Sequence, residues 1–426
     1  MRVLLTGANG FIGSHLTAFL LQAGHDVRAA VRAPDKFMRR FPRAEAVAVD
    51  LNRMTDAESW LPIVSGMDAV INCAGILQSR HGQNAAAIHA DAPAALFEAA
   101  AAANIRKVIQ ISAISSTAST EYAQTKSQAD TRLAASDLDW TILRPSLVYA
   151  RDAYGGTAMI RALSVCPFLI PVIGGPEAAF SPIHVDDLGK TVLWALENPS
   201  VKRVAVAPCG PQVLTLAELA RAYRAWFGLR PAPFFELPRP LVELACHAGD
   251  LFGAGPVTTT SLRQIEAGNI ADVTAFSRAT GITPRPVAEM LECEPAGTGE
   301  LWQARLYLAR PLIRSALILM WLASGLIGLF NLHGVAQYLS SLSIPDTLHM
   351  PLALLVCLVD IAIGAALAFR WAPRAVFWGQ LLLICAYTVT LSLAAPDLWL
   401  ELFGPLLKNI PILALIIVDR ILEVER

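Results

Sequence analysis

The last 116 residues, Pro311 to Arg426, hold four apolar runs, at about Ile313 to Leu332, Met350 to Phe369, Ala375 to Ala395 and Leu400 to Val418. Each is near the ~20 residues that a helix needs to span a bilayer. Only 13 of the chain's 69 charged residues (34 Lys/Arg and 35 Asp/Glu) fall in this third. The pattern predicts an all-α, four-helix transmembrane domain over 311–426. Arg305, Arg310 and Arg314 precede the first run. Arg370 and Arg374 bracket the turn between the second and third, and Arg420 and Arg426 follow the fourth. The other two connections carry no Lys or Arg. Positive charge marks the cytoplasmic side, so both termini are expected in the cytoplasm and the chain in the cell (inner) membrane. Met1-Arg2 leads directly into an apolar strand, without the apolar stretch of a signal peptide.

Two charges fall inside the runs. Asp360 lies about 11 residues, or ~16 Å, into the second, and Lys408 about 8 residues, or ~12 Å, into the fourth from the same face. Intramembrane charges are costly and mark function. Pro405 and Pro411 open the backbone around Lys408. Asp360 and Lys408 are therefore expected to line a polar site between the helices.

The residues before 294 alternate strands with helices. Val3–Leu5, Asp26–Arg32, Ala46–Val49, Ala69–Asn72, Lys107–Ser112 and Trp140–Leu143 read as strands. Ser14–Ala23 and the alanine-rich Pro93–Ala103 read as helices. Right-handed crossovers between such strands give a doubly wound parallel sheet. The expected division is 1–293, with a cofactor core to about 150 and a smaller substrate lobe beyond it, then a linker over 294–310, then the membrane domain.

Between the first strand and helix stands Thr6-Gly7-Ala8-Asn9-Gly10-Phe11-Ile12-Gly13. Gly7 permits a tight turn, Gly10 lets backbone approach a pyrophosphate, and Gly13 lets the helix pack closely on the sheet. The helix N-terminus then offers unpaired N–H groups to phosphate. About 20 residues on, NAD sites carry an acid for the ribose. Here Val31-Arg32 stands instead, and a guanidinium suits a 2′-phosphate, so NADP(H) is favoured over NAD(H). Asp50, followed by Leu51, is positioned to accept from the adenine amino group. Tyr122 and Lys126 share a helix face, and an ammonium beside a phenol lowers its pKa and makes a general acid/base. Ser112 and Ser115 lie between strand and helix, where a hydroxyl can bond a substrate oxygen.

These segments resemble the short-chain dehydrogenase/reductase superfamily, and more narrowly its extended and atypical branches. The resemblance rests on TGANGFIG, Cys73-Ala74-Gly75, Tyr122-x-x-x-Lys126, Leu143-Arg144-Pro145-Ser146, Pro182-Ile183-His184-Val185-Asp186-Asp187 and Leu214-Thr215-Leu216-Ala217-Glu218-Leu219. It covers about Met1 to Leu291. The Arg32 strand end is similar to NmrA-like members and to the accessory reductase-like subunit of respiratory complex I. The resemblance implies that Gly7, Gly10 and Gly13 bind pyrophosphate, with Thr6, Asn9, Phe11, Ile12, Cys73, Ala74 and Gly75 around the cofactor. It implies that Tyr122 is the acid/base, that Lys126 holds the nicotinamide ribose and tunes Tyr122, and that Ser112 or Ser115 polarises the substrate. Pro145 and Ser146 would flank the nicotinamide. Two departures stand out. Only 10 residues separate Ser112 from Tyr122, and Ala150 follows Tyr149 where Gly is usual. Gly404 to Pro411 resembles the fourth helix of DoxX-like membrane domains, a likeness covering about Ala316 to Ile421. Relatives of that family are linked to quinone and sulfur-compound oxidation.

The implied function is a membrane-anchored NADP(H) oxidoreductase acting between nicotinamide and a carbonyl or alcohol. Its expected partners are a small-molecule substrate, the lipid bilayer, and a quinone or a membrane complex. Two alternatives stay open: a non-catalytic nucleotide-binding protein of a membrane complex, and an NAD-dependent sugar-nucleotide epimerase or dehydratase. A net charge of -1 gives no field for nucleic acid. The seven cysteines include no Cys-x-x-Cys pair, which argues against a disulfide framework or a zinc site, and no metal is expected.

Overall fold

The computed structural model describes residues 1–79, 82–105, 107–114, 120–173, 178–252, 257–340, 345–402 and 404–423. The chain forms two compact units, Met1–Ala304 and Arg305–Arg426.

The first unit is built on a parallel sheet. Its strands are β1 (Arg2–Thr6), β2 (Asp26–Val31), β3 (Glu45–Ala48), β4 (Ala69–Asn72), β5 (Lys107–Ile111), β6 (Asp139–Leu143) and a seventh, Val204–Val206. Their spatial order is the seventh strand, β6, β5, β4, β1, β2, β3. The order reverses between β1 and β4, where doubly wound sheets bind ligands at the carboxyl ends of their strands. Strand residues alternate between two cores. Val3 and Leu5 pack with α1 (Phe11–Gln22), with Phe37 of α2 (Pro34–Arg40) and with the helix Val185–Glu197. Leu4, Val70, Val108 and Ile142 pack against α3 (Ala57–Val64), α4 (Ala92–Ala102) and α5 (Glu121–Ala134). Burial on both faces explains the continuous apolar runs of these strands. The helix after the glycine loop starts at Phe11, three residues before the start read from the sequence. Gly10 is its N-cap, and no side chain caps it.

Beyond β6 the lobe relies on short strand pairs. Val148–Tyr149 runs parallel to Ile183–His184, and Ile170–Ile173 runs parallel to Phe234–Leu237. A separate core around Tyr149, Tyr223, Phe227 and Met290 supports them. Within that core the Arg161 guanidinium lies between the Tyr223 and Trp226 rings, at 4.7 and 4.6 Å. The segment expected as a linker is helical from Thr298, because Thr298–Phe330 is one helix.

The second unit is helical. Thr298–Phe330, Asp346–Ala368 and Pro373–Ala394 are long and apolar enough to cross a membrane. Between 11% and 28% of each span is buried within the chain, so most of the apolar surface faces outward. The fourth run differs from its expectation. Its helix is Asn409–Ile421, 13 residues, or about 20 Å at the α-helical rise. Gly404 adopts a left-handed φ of 51°, and the stretch before Asn409 is turn. Pro411 falls in the first helical turn, where its missing N–H costs nothing.

Candidate functional site

The carboxyl ends of β1, β4 and β5 carry the site. Each strand carries a buried polar residue at or next to that end: Thr6, Asn72 and Gln110. Thr6 Oγ1 donates to Asn72 Oδ1 at 2.5 Å, and Asn72 Nδ2 donates to Gln110 Oε1 at 2.7 Å. This ladder fixes the strand ends relative to one another. Thr6 thereby serves the sheet, one residue before the glycine loop.

The loop is shaped by what its glycines leave out. Gly7 has φ 67°, and a Cβ there would lie 2.7 Å from the Cys73 carbonyl. A Cβ on Gly13 would lie 2.1 Å from the Gly7 oxygen. Gly10 N–H donates to Gly7 O at 2.9 Å, closing the turn. Asn9 and Gly10 are exposed, while Phe11 and Ile12 are half-buried. The result is an uncapped helix N-terminus behind an exposed backbone turn, the donor arrangement a pyrophosphate takes.

Lys126 is buried, and its ammonium donates to Ala74 O at 2.8 Å and Ile111 O at 3.1 Å. It ties the ends of β4 and β5 to α5. An ammonium has three donors, so one remains for a hydroxyl. A Cβ on Gly75 would stand 3.3 Å from this nitrogen, so glycine keeps that approach open. Burial lowers the Lys126 pKa. Tyr122 lies one turn earlier on the same helix face. Burial pushes its phenol up to about 12, and the nearby Cys73 and Asp130 push the same way. The phenol is therefore raised where the sequence led to the expectation of a lowered one, because burial dominates. Cys73 is likewise pushed up to about 12 by burial, which leaves it a neutral thiol.

His89 was not singled out in the sequence, where it sits before an alanine-rich helix. Its Nε2 accepts the Ile76 N–H at 2.9 Å, and its Nδ1 lies 2.8 Å from Thr125 Oγ1. Thr125 in turn donates to Glu121 O at 2.7 Å, so Nδ1 carries the histidine proton. The ring meets Tyr122 edge-on at 5.5 Å. Burial, aided by the Lys126 charge, lowers the His89 pKa to about 3. A neutral histidine thus locks the loop after β4 to the middle of the Tyr122–Lys126 face.

The serines divide. Ser112 is buried and donates to Asp130 Oδ2 at 3.0 Å. Arg144 donates to the same oxygen at 2.9 Å. Ser112 thus shares the buried Asp130 carboxylate with Arg144, whose side chain is 42% exposed. Ser115 lies outside the described residues. Pro145 and Ser146 are buried beyond β6, and Ser146 Oγ donates to Asn269 O at 2.7 Å, which ties β6 to the lobe. Asp50 accepts from the Asn52 side chain and backbone, at 2.9 and 3.1 Å. Those bonds hold its pKa below the usual range, and the Arg53 and Arg32 charges add to them. Arg32 is exposed at the end of β2, and Leu51 is half-buried at the end of β3. Two contacts from the lobe also close on the loop helix. The Phe11 ring stacks on Tyr154 at 6.3 Å, and His15 Nε2 meets Asp152 at 2.7 Å.

In the second unit Asp360 is buried. It accepts from Ser324 Oγ at 2.7 Å and from Tyr387 OH at 3.3 Å. Lys408 is exposed just before the helix Asn409–Ile421. The described residues contain no Asp360–Lys408 bond. The carboxylate takes hydroxyl donors from the neighbouring helices instead.

A family model described as NAD(P)H-binding matches residues 7–164, and a DoxX-like family model matches 318–417. An uncharacterized sugar epimerase, YhfK of Bacillus subtilis, is 30% identical over 213 residues, covering 48% of this chain and 92% of that protein. The chain belongs to the NAD(P)-binding, epimerase-like short-chain dehydrogenase/reductases. Its second unit is DoxX-like. The ceramide reductase of Caulobacter vibrioides is 27% identical over 244 residues, covering 56% of this chain and 74% of that protein. Uncharacterized mycobacterial relatives match at 27% over 223 residues, and the chain spans 23% of their length. Among solved structures, MoeE5 in complex with UDP-glucuronic acid and NAD superposes with a TM-score of 0.53 at 20% identity, covering 68% of this chain and 97% of that one. The UDP-glucuronic acid 4-epimerase of Bacillus cereus gives 0.52 at 18%, covering 69% and 98%. At such identity the likeness is one of fold.

Proposed function

We propose that the first unit is an NADP(H)-dependent oxidoreductase, held at the cytoplasmic face of a membrane by the second, that reduces a carbonyl on a lipid-soluble substrate. The observation that carries this reading is the placement of Tyr122 and Lys126 on one face of α5, with Lys126 Nζ bonded to the strand ends beside the glycine loop. The glycine cradle and the uncapped α1 fit a dinucleotide's phosphates. Gly7, Gly10 and Gly13 would hold the pyrophosphate, Arg32 a 2′-phosphate, and the third Lys126 donor a ribose hydroxyl. When bound, the nicotinamide supplies a hydride. Tyr122, protonated at neutral pH, supplies the proton to the carbonyl oxygen. His89 holds the Tyr122 face against the loop after β4. The apolar spans and the 27% likeness to a ceramide reductase support a lipid-soluble substrate. A quinone is the second such molecule to try.

The test uses full-length protein in detergent, with NADPH consumption followed over a panel of long-chain ketones and quinones. Net oxidation that falls 10²- to 10⁴-fold in Tyr122→Phe supports the reading. The likeness to YhfK favours one competitor, an internal redox cycle on a nucleotide sugar. That competitor gives product from UDP-sugars without net NADPH consumption, and such a result would displace the oxidoreductase.

A further inference from the structure

The second unit carries a cleft that the reactions above do not use. It lies where three helix ends meet: the end of Asp346–Ala368, the start of Pro373–Ala394 and the end of Asn409–Ile421. The helix Thr298–Phe330 contributes Arg314 to its wall. The cleft encloses about 350 Å³, its open mouth included. Three guanidiniums line it, those of Arg314, Arg370 and Arg420, with two carboxylates, Asp419 and Glu423. The lining therefore carries a surplus of one positive charge.

The cluster is ordered by its own bonds. Arg314 Nε and Nη2 donate to Asp419 at 3.2 and 3.0 Å, and Arg420 donates to Glu423 at 2.8 Å. The Arg314 side chain is only 12% exposed, and its Nη1 has no hydrogen-bond partner. Keeping such a charge out of water is costly, and a nearby anion offsets that cost. The rest of the lining is largely apolar, with Leu367, Trp371, Val376, Phe377 and Ile416. Trp371 is 66% exposed, and its ring lies 5.7 Å from that of Phe369, which is equally exposed. Exposed aromatic rings at the end of an apolar span settle at the headgroup level of a bilayer. Arg370 and Ala372, in the turn beside the cleft, hold left-handed φ of 56° and 41°. Residues other than glycine rarely keep this conformation, and those that do cluster at ligand clamps.

We propose that this cleft binds the phosphate of one anionic phospholipid, with the acyl chains along its apolar side. The proposal rests on the reading of the second unit as membrane-spanning. Basic pockets between membrane helices take lipid headgroups in this way. The phosphodiester's single negative charge matches the surplus in the lining. Inorganic phosphate carries more charge and offers nothing to the apolar residues. Arg370 and Arg420 supply the donors, as guanidiniums suit phosphate oxygens. Arg314, fixed by Asp419, supplies a standing positive charge.

The test takes the full-length protein in detergent and follows binding by native mass spectrometry, with phosphatidylglycerol, phosphatidylcholine and inorganic phosphate as probes. The expected result is one phosphatidylglycerol per chain, bound about 10-fold more tightly than phosphatidylcholine and not displaced by inorganic phosphate. Arg370→Gln and Arg420→Gln should each lower that preference about 5-fold, and Arg370→Lys should keep most of it. Lys408→Gln removes a charge at the other end of the helix Asn409–Ile421 and should leave the preference unchanged. Circular dichroism shows which variants fold, and either folded glutamine variant suffices. Alkaline carbonate extraction of native membranes checks separately that the chain is embedded. An embedded chain that binds both lipids equally, or whose preference survives Arg370→Gln and Arg420→Gln, overturns the cleft assignment alone. Displacement by inorganic phosphate overturns the lipid as occupant. Release by carbonate overturns the membrane reading and the proposal with it.

Discussion

The two units bury polar groups to different ends. In the first, polar side chains gather where the strands finish; some bond one another, as Thr6, Asn72 and Gln110 do, and others seize backbone. Lys126 holds two carbonyls, His89 holds an amide, and the glycines leave backbone bare. In the second, the buried Asp360 and Gln380 and the half-buried Asn409 are bonded by side chains of other helices. Ser324 and Tyr387 hold Asp360, Trp321 Nε1 donates to Gln380 at 3.0 Å, and Asn409 donates to Thr388 at 2.8 Å. Where water is near, unsatisfied donors can be kept for a ligand. Within a bilayer they must be closed among neighbouring helices. On the proposed function, ligand chemistry belongs to the sheet edge and the helix seam to assembly.

The sharpest break would come at the sheet edge. Tyr122→Phe should lower kcat for carbonyl reduction 10²- to 10⁴-fold with the NADPH Kd unchanged, because only the proton donor is removed. Steady-state kinetics together with calorimetry check this. A smaller but still large effect is expected in the loop. Gly13→Ala puts a Cβ 2.1 Å from the Gly7 oxygen, so NADPH binding should weaken at least 100-fold while the far-UV spectrum is retained.

His89 sharpens the contrast through pH. Its folded pKa, about 3, lies below its ordinary 6.5. The unfolded chain therefore takes up a proton first as pH falls. The contribution is full above about pH 6.5 and is lost toward pH 3, about 2 kcal/mol of it by pH 5. Denaturant titrations of His89→Gln should show a flatter dependence between pH 8 and 5. The smallest effect belongs to the membrane unit. Asp360→Asn can still accept from Ser324 and Tyr387, and should cost about 1 kcal/mol in detergent unfolding without altering NADPH affinity. A lost affinity there would mean that the helix seam takes part in ligand binding.

The sheet was legible because its strands are short apolar runs separated by helical ones. The glycine turn was legible because glycine at 7 and 13 is demanded by contact, not by preference. Tyr122 and Lys126 were legible as a pair, but the direction of the phenol's shift was not. Burial and the Lys126 carbonyl bonds depend on residues 15 and 52 positions away. His15 and Asp152 are 137 apart, and Phe11 meets Tyr154 across a similar span. No local pattern announces such pairs. His89 left a fainter signal, a lone histidine leading into an alanine-rich helix. Polar residues near the ends of three strands, Thr6, Asn72 and Gln110, offered a signal that strand periodicity overlooks. The fourth apolar run misled because composition counts residues, whereas Gly404 and the turn before Asn409 decide how many are helical.

The most direct measurement is a calorimetric titration of the full-length protein in detergent with NADPH and then with NADH. The expected result is binding of both at one site per chain, NADPH at least 10-fold tighter, with Arg32→Ala abolishing that difference and leaving NADH affinity intact. Absence of binding by either nucleotide would contradict the assignment of the glycine loop. Tighter binding of NADH would contradict the role given to Arg32.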